Sequence, residues 1–451
     1  MTDVAFVLAG GLSTRMRSKT SKVLHPVAGR PLVAHMFETC ARLHARPVVV
    51  LSAESEAARA LVPEVGSIVL QEPPRGTGHA VQVALAATPE ARGRAYIVYG
   101  DTVLVRVETL RRMAALLDER DAVLAILTGE GQPSYGRIIR GEDGDVARIV
   151  EARLATPAER ALPEANLGAY AVDLEWLRVA AERLVPNETG EVFLTDVVAL
   201  ARGEGRRVAA LRTDDPTEGL GVNTRADLAR VESALRDRIR ERHMLAGVTL
   251  RDPVSTDIDS DVEIAPDTVI ERGCMLEGRT RIGGDCRVGP YAIIRDSTVG
   301  DRCRVEASVI EGSTLEEDVR IGPFSHLRPG AYLERGVEMG NFGEVKNARL
   351  RSKTKMHHFS YVGDADIGQR VNIGAGTITL NYDGVRKHRT EVGDDAFIGS
   401  DTLLRAPVRV GKGAVTGAGA VVTKDVPDGM VAVGMPARAI KKAERRARPV
   451  E

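Results

Sequence analysis

IAPDTVIERGCMLEGRTRIGGDCRVGPYAII, residues 264–294, decides the fold of half this chain. An aliphatic residue falls at every sixth position, at Ile264, Ile270, Leu276, Ile282, Val288 and Ile294, with Ile258 one beat upstream. The beat resumes from Leu315 through Ile321, Leu327, Leu333, Met339 and Val345, and again at Val392, Ile398, Leu404 and Val410. Four positions after many aliphatics stands a small residue, as at Thr268, Cys274, Thr280, Cys286, Ala292, Ser325, Ala331, Thr377, Ala396 and Thr402. Gly, Asp or Glu often follows the aliphatic directly. No helix satisfies a period of six, and a flat alternating strand has no need of small residues at fixed offsets. A prism with three short faces per turn explains the pattern. The aliphatic fills a narrow interior, the small residue fits under a corner, and glycine relieves tight backbone there. The C-terminal half is therefore predicted to be a parallel β-helix of hexapeptide type. At about 18 residues and about 4.8 Å per coil it makes roughly nine coils and a rod about 45 Å long.

The chain has 451 residues and a formal net charge of −1. At roughly 100 to 200 residues per domain, that length predicts two or three domains. The balanced charge, the lack of a long apolar run and the lack of a signal-like N-terminus predict a soluble, cytoplasmic protein. They speak against membrane insertion and general nucleic-acid binding. Four cysteines form no C-x-x-C pair, and Cys274, Cys286 and Cys303 hold small corner positions. Packing explains that spacing better than a metal or a disulfide. No lysine lies between Lys22 and Lys346. Both are therefore candidates for a role arginine cannot fill, with codon bias as the plain alternative.

The first half alternates strand and helix. Strands are predicted at 4–8, 48–52, 67–70 and 95–99, with helices after Pro31, near Glu54 and from about 78 to 87. Such alternation makes a mostly parallel sheet covered on both faces, with ligands beyond the carboxyl ends of its strands. Two loops are placed there. Gly10-Gly11 follows the first strand, with Arg15 and Lys22 downstream, which suits backbone N–H groups and cations around a polyphosphate. A simple tight turn is an equal reading of the two glycines. Neither G-x-G-x-x-G nor a P-loop is present. Gly100-Asp101 ends the strand at 95–99, placing a carboxylate where it can hold Mg²⁺ against phosphate oxygens. The dipeptide also recurs elsewhere as turn punctuation.

Several motifs together resemble those of the sugar-phosphate nucleotidyltransferases. They are Leu8-Ala9-x-Gly11-x-x-Thr14-Arg15-Met16, Ser21-Lys22-Val23-Leu24-His25, Gln71-x4-Gly76-Thr77-Gly78-His79-Ala80, Tyr99-Gly100-Asp101, Tyr135-Gly136-Arg137 and Gly221-Val222-Asn223. With a hexapeptide β-helix attached, the resemblance narrows to the bacterial bifunctional N-acetylglucosamine-1-phosphate uridylyltransferases and glucosamine-1-phosphate N-acetyltransferases, and it covers nearly the whole chain. It implies an α/β plus β-helix architecture. A Rossmann-like nucleotidyltransferase domain would occupy 1–223, a helical linker 224–246, and a left-handed parallel β-helix acetyltransferase domain 247–451.

The same resemblance implies UTP phosphates on the loop from Gly11 to Arg15 with Lys22, and uracil read by Gln71 with Gly76 and Thr77, with Leu8 and Tyr99 also in the UTP and sugar site. Mg²⁺ would sit between Asp101 and Asn223, and the sugar would meet Gly136, Glu151 and Asn166. Three positions depart from the family pattern. Ser13 stands where a second loop glycine is usual, Thr102-Val103 follows Asp101 where Pro is usual, and Leu167 replaces a threonine beside Asn166. Strain at Ser13 and a disturbed sugar pocket at Leu167 are the expectations.

Residues 224–243 carry Leu228, Val231, Leu235 and Ile239 on one helical face, with Thr224 and Asp227 as a capping box, and read as a connector. In the solenoid the six-residue register fails between about 350 and 367 and again from 379 to 390. Loops that interrupt a rigid coil usually carry its function. The first holds His357 and His358, which on extended backbone point in opposite directions, leaving one facing solvent. From the residues alone, either is as good a surface residue as a catalyst. The resemblance selects His358 as general base, and histidine as a residue type, with an unperturbed pKa of about 6.5, suits removal of a proton from an amine near neutral pH. It places sugar and phosphate contacts at Arg328, Lys346, Tyr361 and Asn372, and acetyl-CoA contacts at Ala375, Asn381, Tyr382, Ser400 and Ala418. Where the family often has a CoA-contacting Arg, this chain reads Val433 to Arg438. The implied activity is acetylation of glucosamine-1-phosphate followed by uridylyl transfer from UTP, by a homotrimer with shared acyl sites. The alternatives are a single-activity hexose-1-phosphate nucleotidyltransferase with a structural or regulatory β-helix, and a non-catalytic scaffold.

Overall fold

The computed structural model describes residues 3–11 and 13–442. Leu12 and the end of the basic tail from residue 443 lie outside the described residues. The chain divides into two compact units, Met1–Leu235 and Arg236–Glu451.

In the first unit Val4–Leu8 is buried along its whole length. Its sheet runs in the order Arg207–Arg212, Ala122–Glu130, Glu164–Asp173, Arg94–Tyr99, Val4–Leu8, Arg46–Leu51, Ser67–Leu70. Glu164–Asp173 is antiparallel to both neighbours, and the other pairs along this order are parallel. Side chains alternate across a strand, so Val4–Leu8 feeds two cores. Ala5 and Val7 join Leu32, Met36 and Leu110 on one face, whereas Val4, Phe6 and Leu8 join Val81, Ala84 and Leu177 on the other. Helices Leu32–Leu43 and Thr77–Ala86 stand where expected, and the helix near Glu54 is a 3-10 turn, Ala53–Leu61.

The long helix Arg225–Leu245 begins on the expected cap. Thr224 N donates to Asp227 Oδ2 at 2.9 Å, and Asp227 N donates to Thr224 Oγ1 at 3.2 Å. The unit boundary falls inside this helix. Val231 belongs to the core of the first unit, while in the second Arg240 donates to Thr256 O at 3.0 Å.

The second unit is a parallel β-helix whose three faces form sheets of 12, 10 and 9 strands. One interior column reads Ile258, Leu276, Ile294, Ile310, Leu327 and Val345, each residue beside the next in register. All six are 0 % exposed. Corners turn through a left-handed residue placed immediately before the small one, as in Asp267-Thr268, Gly273-Cys274 and Phe324-Ser325. The glycine directly after the aliphatic eases the backbone as expected at Gly289 and Gly322, at φ +99° and +101°, but has a different role at Gly393 and Gly399. A Cβ on Gly393 or Gly399 would stand 2.5 Å from Lys412 N or Thr416 O of the next coil. Close approach of stacked coils, rather than backbone conformation, demands glycine at these two positions.

The first expected break in the coil is absent. Met356 and Val362 continue the beat, 0 % and 1 % exposed, and Lys355–Met356, Ser360–Gly363 and Ala365–Ile367 all pair with neighbouring coils. Counting strictly in sixes misses them because some faces are one residue short, as from Ile294 to Val299, Val345 to Leu350 and Val362 to Ile367. The second break is real. After Leu380 the chain leaves the coil through residues 381–389 and returns on Thr390–Val392.

Candidate active sites

The register Leu8↔Tyr99 and Leu8↔Val50 levels the carboxyl ends of three parallel strands. Leu51↔Leu70 adds the strand Ser67–Leu70 to the same level, so Gly10-Gly11, Gln71 and Gly100-Asp101, which follow three of these four strands, share one edge. The spacing is tight. A Cβ on Gly10 would stand 3.3 Å from Gln71 Oε1, and one on Gly100 would stand 3.2 Å from Ala9 Cβ. Gly11 is exposed, and a Cβ there would meet nothing. Its backbone is open to a ligand. A short turn, Thr14–Met16, is pinned by buried Met16 and presents Arg15, whose Nη2 donates to Asn223 Oδ1 at 2.9 Å. Ser13 has φ −92°, so the expected strain is not present, and its Oγ accepts from Lys22 N at 3.0 Å. Lys22 in turn forms a short ion pair with Asp101.

Asn223 comes beside Asp101 because Val222 N donates to the Asp101 carbonyl at 3.2 Å. A carboxylate and an amide oxygen thus stand together, each facing a cation, Lys22 or Arg15. Hard oxygen donors of this kind suit Mg²⁺, which binds through one or two protein groups and completes its shell with phosphate and water. No cluster of three or more His, Cys, Asp or Glu side chains that could hold a metal occurs among the described residues.

The residues expected to meet the sugar also converge. Asn166 N donates to Gly136 O at 2.9 Å, and a Cβ on Gly136 would lie 3.8 Å from Glu151 Oε2. Burial pushes the Glu151 pKa up, partly offset by the hydrogen bond from Thr195 Oγ1 at 3.0 Å. Asn166 Nδ2 donates to Tyr170 Oη at 2.7 Å, and its Oδ1 accepts from Gly168 N at 3.0 Å. The pairing shifts register between Asn166 and Tyr170, with Gly168 at φ +79° against the Tyr99 ring. Leu167 does not disturb this pocket. It is 3 % exposed and points into the core beside Gly129 and Gly219. Thr195 and Tyr170, which hold Glu151 and Asn166, had no sequence signal beyond the glycine that marks the bulge.

On the β-helix the register sets the candidates in columns. His358, Ala375, Ser400 and Ala418 each lie three residues after paired strand positions Lys355, Asn372, Phe397 and Val415, and so occupy one corner of successive coils. Backbone bonds tie that corner, with Gly376 N to Phe359 O at 2.7 Å and Gly419 N to Ser400 O at 2.8 Å. Both histidines are exposed, a departure from the expected opposed pair, because the strand ends at Met356 and the chain bends there. His357 Nε2 is 2.9 Å from Glu338 Oε2, whereas no described side chain hydrogen-bonds His358.

Arg328, Lys346 and Tyr361 lie on the face that follows this corner. Arg328 Nη1 donates to Glu344 at 2.8 Å, and the charges of Arg328 and Lys387 push the Lys346 pKa down. Tyr361 folds over Gly363, where a Cβ would lie 2.2 Å from its hydroxyl. Asn381 Nδ2 donates to Asp364 Oδ2 at 2.5 Å and to Tyr361 Oη at 3.4 Å, so the inserted loop is fastened beside Tyr361. That loop also carries exposed Tyr382, and it brings Lys387, a cation that sequence reasoning missed, to Lys346. Asn372 stands apart, on the face before the corner, between Lys355 and Phe397.

The family model for MobA-like NTP transferase domains matches residues 5–246, and that for the bacterial transferase hexapeptide, six repeats, matches 389–424. A Brevibacillus brevis protein is 43 % identical over 433 residues, covering 95 % of this chain and 94 % of the relative. One from Alkalilimnicola ehrlichii is 46 % identical over 440 residues, covering 96 % and 94 %. One from Mycobacterium tuberculosis is 44 % identical over 456 residues, covering 98 % and 92 %. Each bears the name bifunctional protein GlmU. The chain belongs to the GlmU family. Membership fixes the fold class, a nucleotidyltransferase domain followed by a left-handed β-helix. The hexapeptide match begins only at the last residue of the inserted loop, yet the coils extend back to Thr249–Leu250. No described helix is long and apolar enough to cross a membrane.

Proposed function

We propose that this GlmU-family chain is a bifunctional transferase whose two reactions divide along the expected boundaries, 1–223 and 247–451, joined by the helical segment 224–246. The C-terminal part acetylates glucosamine-1-phosphate with acetyl-CoA, and the N-terminal part joins the product to UMP from UTP and releases pyrophosphate. The UDP-N-acetylglucosamine made feeds peptidoglycan and other envelope polysaccharides, which suits a cytoplasmic enzyme. The observation that carries the reading is the meeting of Lys22 with Asp101 and Arg15 with Asn223 at one strand edge, in a chain that also builds the His358 corner.

In uridylyl transfer a sugar-phosphate oxygen attacks the α-phosphorus in line, so the protein mainly positions groups and neutralises charge. The Gly11 backbone, Arg15 and Lys22 would hold the triphosphate. Gly136, Glu151 and Asn166 would orient the sugar, Gln71, Gly76 and Thr77 would meet the uracil, and Leu8 and Tyr99 would complete the same UTP and sugar site. Asp101 and Asn223 would hold Mg²⁺, which supplies Lewis-acid stabilisation of the phosphates. In acetyl transfer His358 would take the proton of the attacking amine. Arg328, Lys346, Tyr361 and Asn372 would place the sugar phosphate, and Ala375, Asn381, Tyr382, Ser400 and Ala418 would place acetyl-CoA.

These last groups occupy two faces and two corners of a convex prism, which one chain cannot wrap around a small ligand. A homotrimer with sites completed between subunits answers that geometry. Sedimentation equilibrium is expected to give three times the 48.5 kDa chain mass. A fully active monomer would refute shared sites. For the reaction itself, glucosamine-1-phosphate, acetyl-CoA, UTP and Mg²⁺ are supplied together while free thiol and pyrophosphate are followed separately. Both products are expected, with pyrophosphate dependent on thiol release. Pyrophosphate without any thiol would leave a single-activity nucleotidyltransferase.

A further inference from the structure

Gln71 is 3 % exposed and is fixed at the end of its strand by a backbone bond from its N–H to Leu51 O at 2.8 Å. Its side-chain Nε2 stands 2.8 Å from Gly76 O and 3.1 Å from His79 Nδ1. A carbonyl only accepts, so the group facing Gly76 must be the amide NH₂. The second N–H is then received by His79 Nδ1, which keeps the imidazole neutral with its proton on Nε2. The amide oxygen is left on the opposite side, toward Gly10 at the nucleotide edge. His79 is itself held firmly. Its helix, Thr77–Ala86, starts on Gly76 at φ +101°, where a Cβ would strike Val192 O at 2.5 Å. Gly78 N donates to Val192 O at 2.9 Å, and Thr77 Oγ1 accepts from Leu194 N at 3.0 Å.

Uracil presents an N3–H donor, whereas cytosine presents a bare N3 acceptor in the same place. An amide oxygen fixed toward the base accepts from the first and opposes the lone pair of the second. An amide free to turn over would serve either base. We propose that His79 is a positioning residue that locks the Gln71 amide with its oxygen toward the base, and so makes the N-terminal site select uridine over cytidine triphosphate. The inference rests on the assignment of Gln71 to the base.

The test measures kcat/KM for UTP and for CTP, with N-acetylglucosamine-1-phosphate and Mg²⁺, in the full chain and in His79→Ala, His79→Asn and Gln71→Ala. Sites built to pair a polar group discriminate strongly against analogues that cannot pair it, so His79→Ala is expected to lower the UTP to CTP ratio about tenfold. Asn carries a carbonyl oxygen near the position of Nδ1 and should keep the ratio within about threefold. A purely structural role would lower both substrates alike. An unchanged ratio in His79→Ala, or an equal loss in His79→Asn, overturns the proposal. Gln71→Ala separates the two levels. If it collapses the ratio while His79→Ala does not, only the role of His79 falls. If it too leaves the ratio intact, Gln71 does not read the base.

Discussion

Asp101→Ala is expected to lower uridylyl transfer roughly 10³-fold, because it removes charge that stabilises a phosphoryl transition state in a site built for it. The side chain leaves the end of a buried strand, is about one-sixth exposed, and pairs with Lys22. Its loss takes away the oxygen proposed to hold Mg²⁺ and also leaves Lys22 without its partner. The apparent affinity for Mg²⁺ should therefore fall, and high Mg²⁺ should recover only part of the rate. Acetyl transfer is assigned to the other unit and should stay within about twofold, since sites that share no partners are usually independent. Pyrophosphate release at several Mg²⁺ concentrations, with thiol release as the internal control, gives the answer. Wild-type pyrophosphate release would remove Asp101 from the metal site.

His358→Ala should do the reverse. A positioned general base contributes roughly 10²- to 10⁴-fold, so thiol release should drop by that amount. The loss is expected in kcat with the KM for acetyl-CoA retained, as for a group needed only in the transition state. The substitution removes an exposed ring with no hydrogen bond to a described side chain, so stability should be little changed. His357→Ala is the matched control. His357 is tied to Glu338, and its loss should leave acetyl transfer near normal. Acetylation at the wild-type rate in His358→Ala would mean that another group takes the amine proton.

The strands of the first unit and the interior column of the second were legible because burial writes them as apolar runs and as a beat. The glycine loop and Asp101 were placed at one edge by the strand–helix alternation, while Gln71 came only through the family resemblance. Other features need three dimensions. Met356 and Val362 escaped because the beat slips wherever a face loses one residue, and an invented loop took their place. Leu167 looked like a threat to the sugar pocket, yet strand alternation turns it to the opposite side from Asn166. Tyr170, Thr195, His79 and Lys387 act through other side chains, and no spacing in the sequence announces a partner that folding brings from elsewhere.

The short faces carry a lesson about how such a chain can change. The face from Ile294 to Val299 is one residue short, yet Val299 still stands beside Ile282, because the backbone rungs between coils hold the register, as they do along the rail His358, Ala375, Ser400, Ala418. Length in this domain is therefore counted in whole turns. A deletion or insertion of one full turn slides the rail by a rung and keeps its members facing the same way. A cut of half a face swings everything beyond it to the wrong side. The corner at Asn381 is the exception, where extra chain is looped out and the turns above and below still meet.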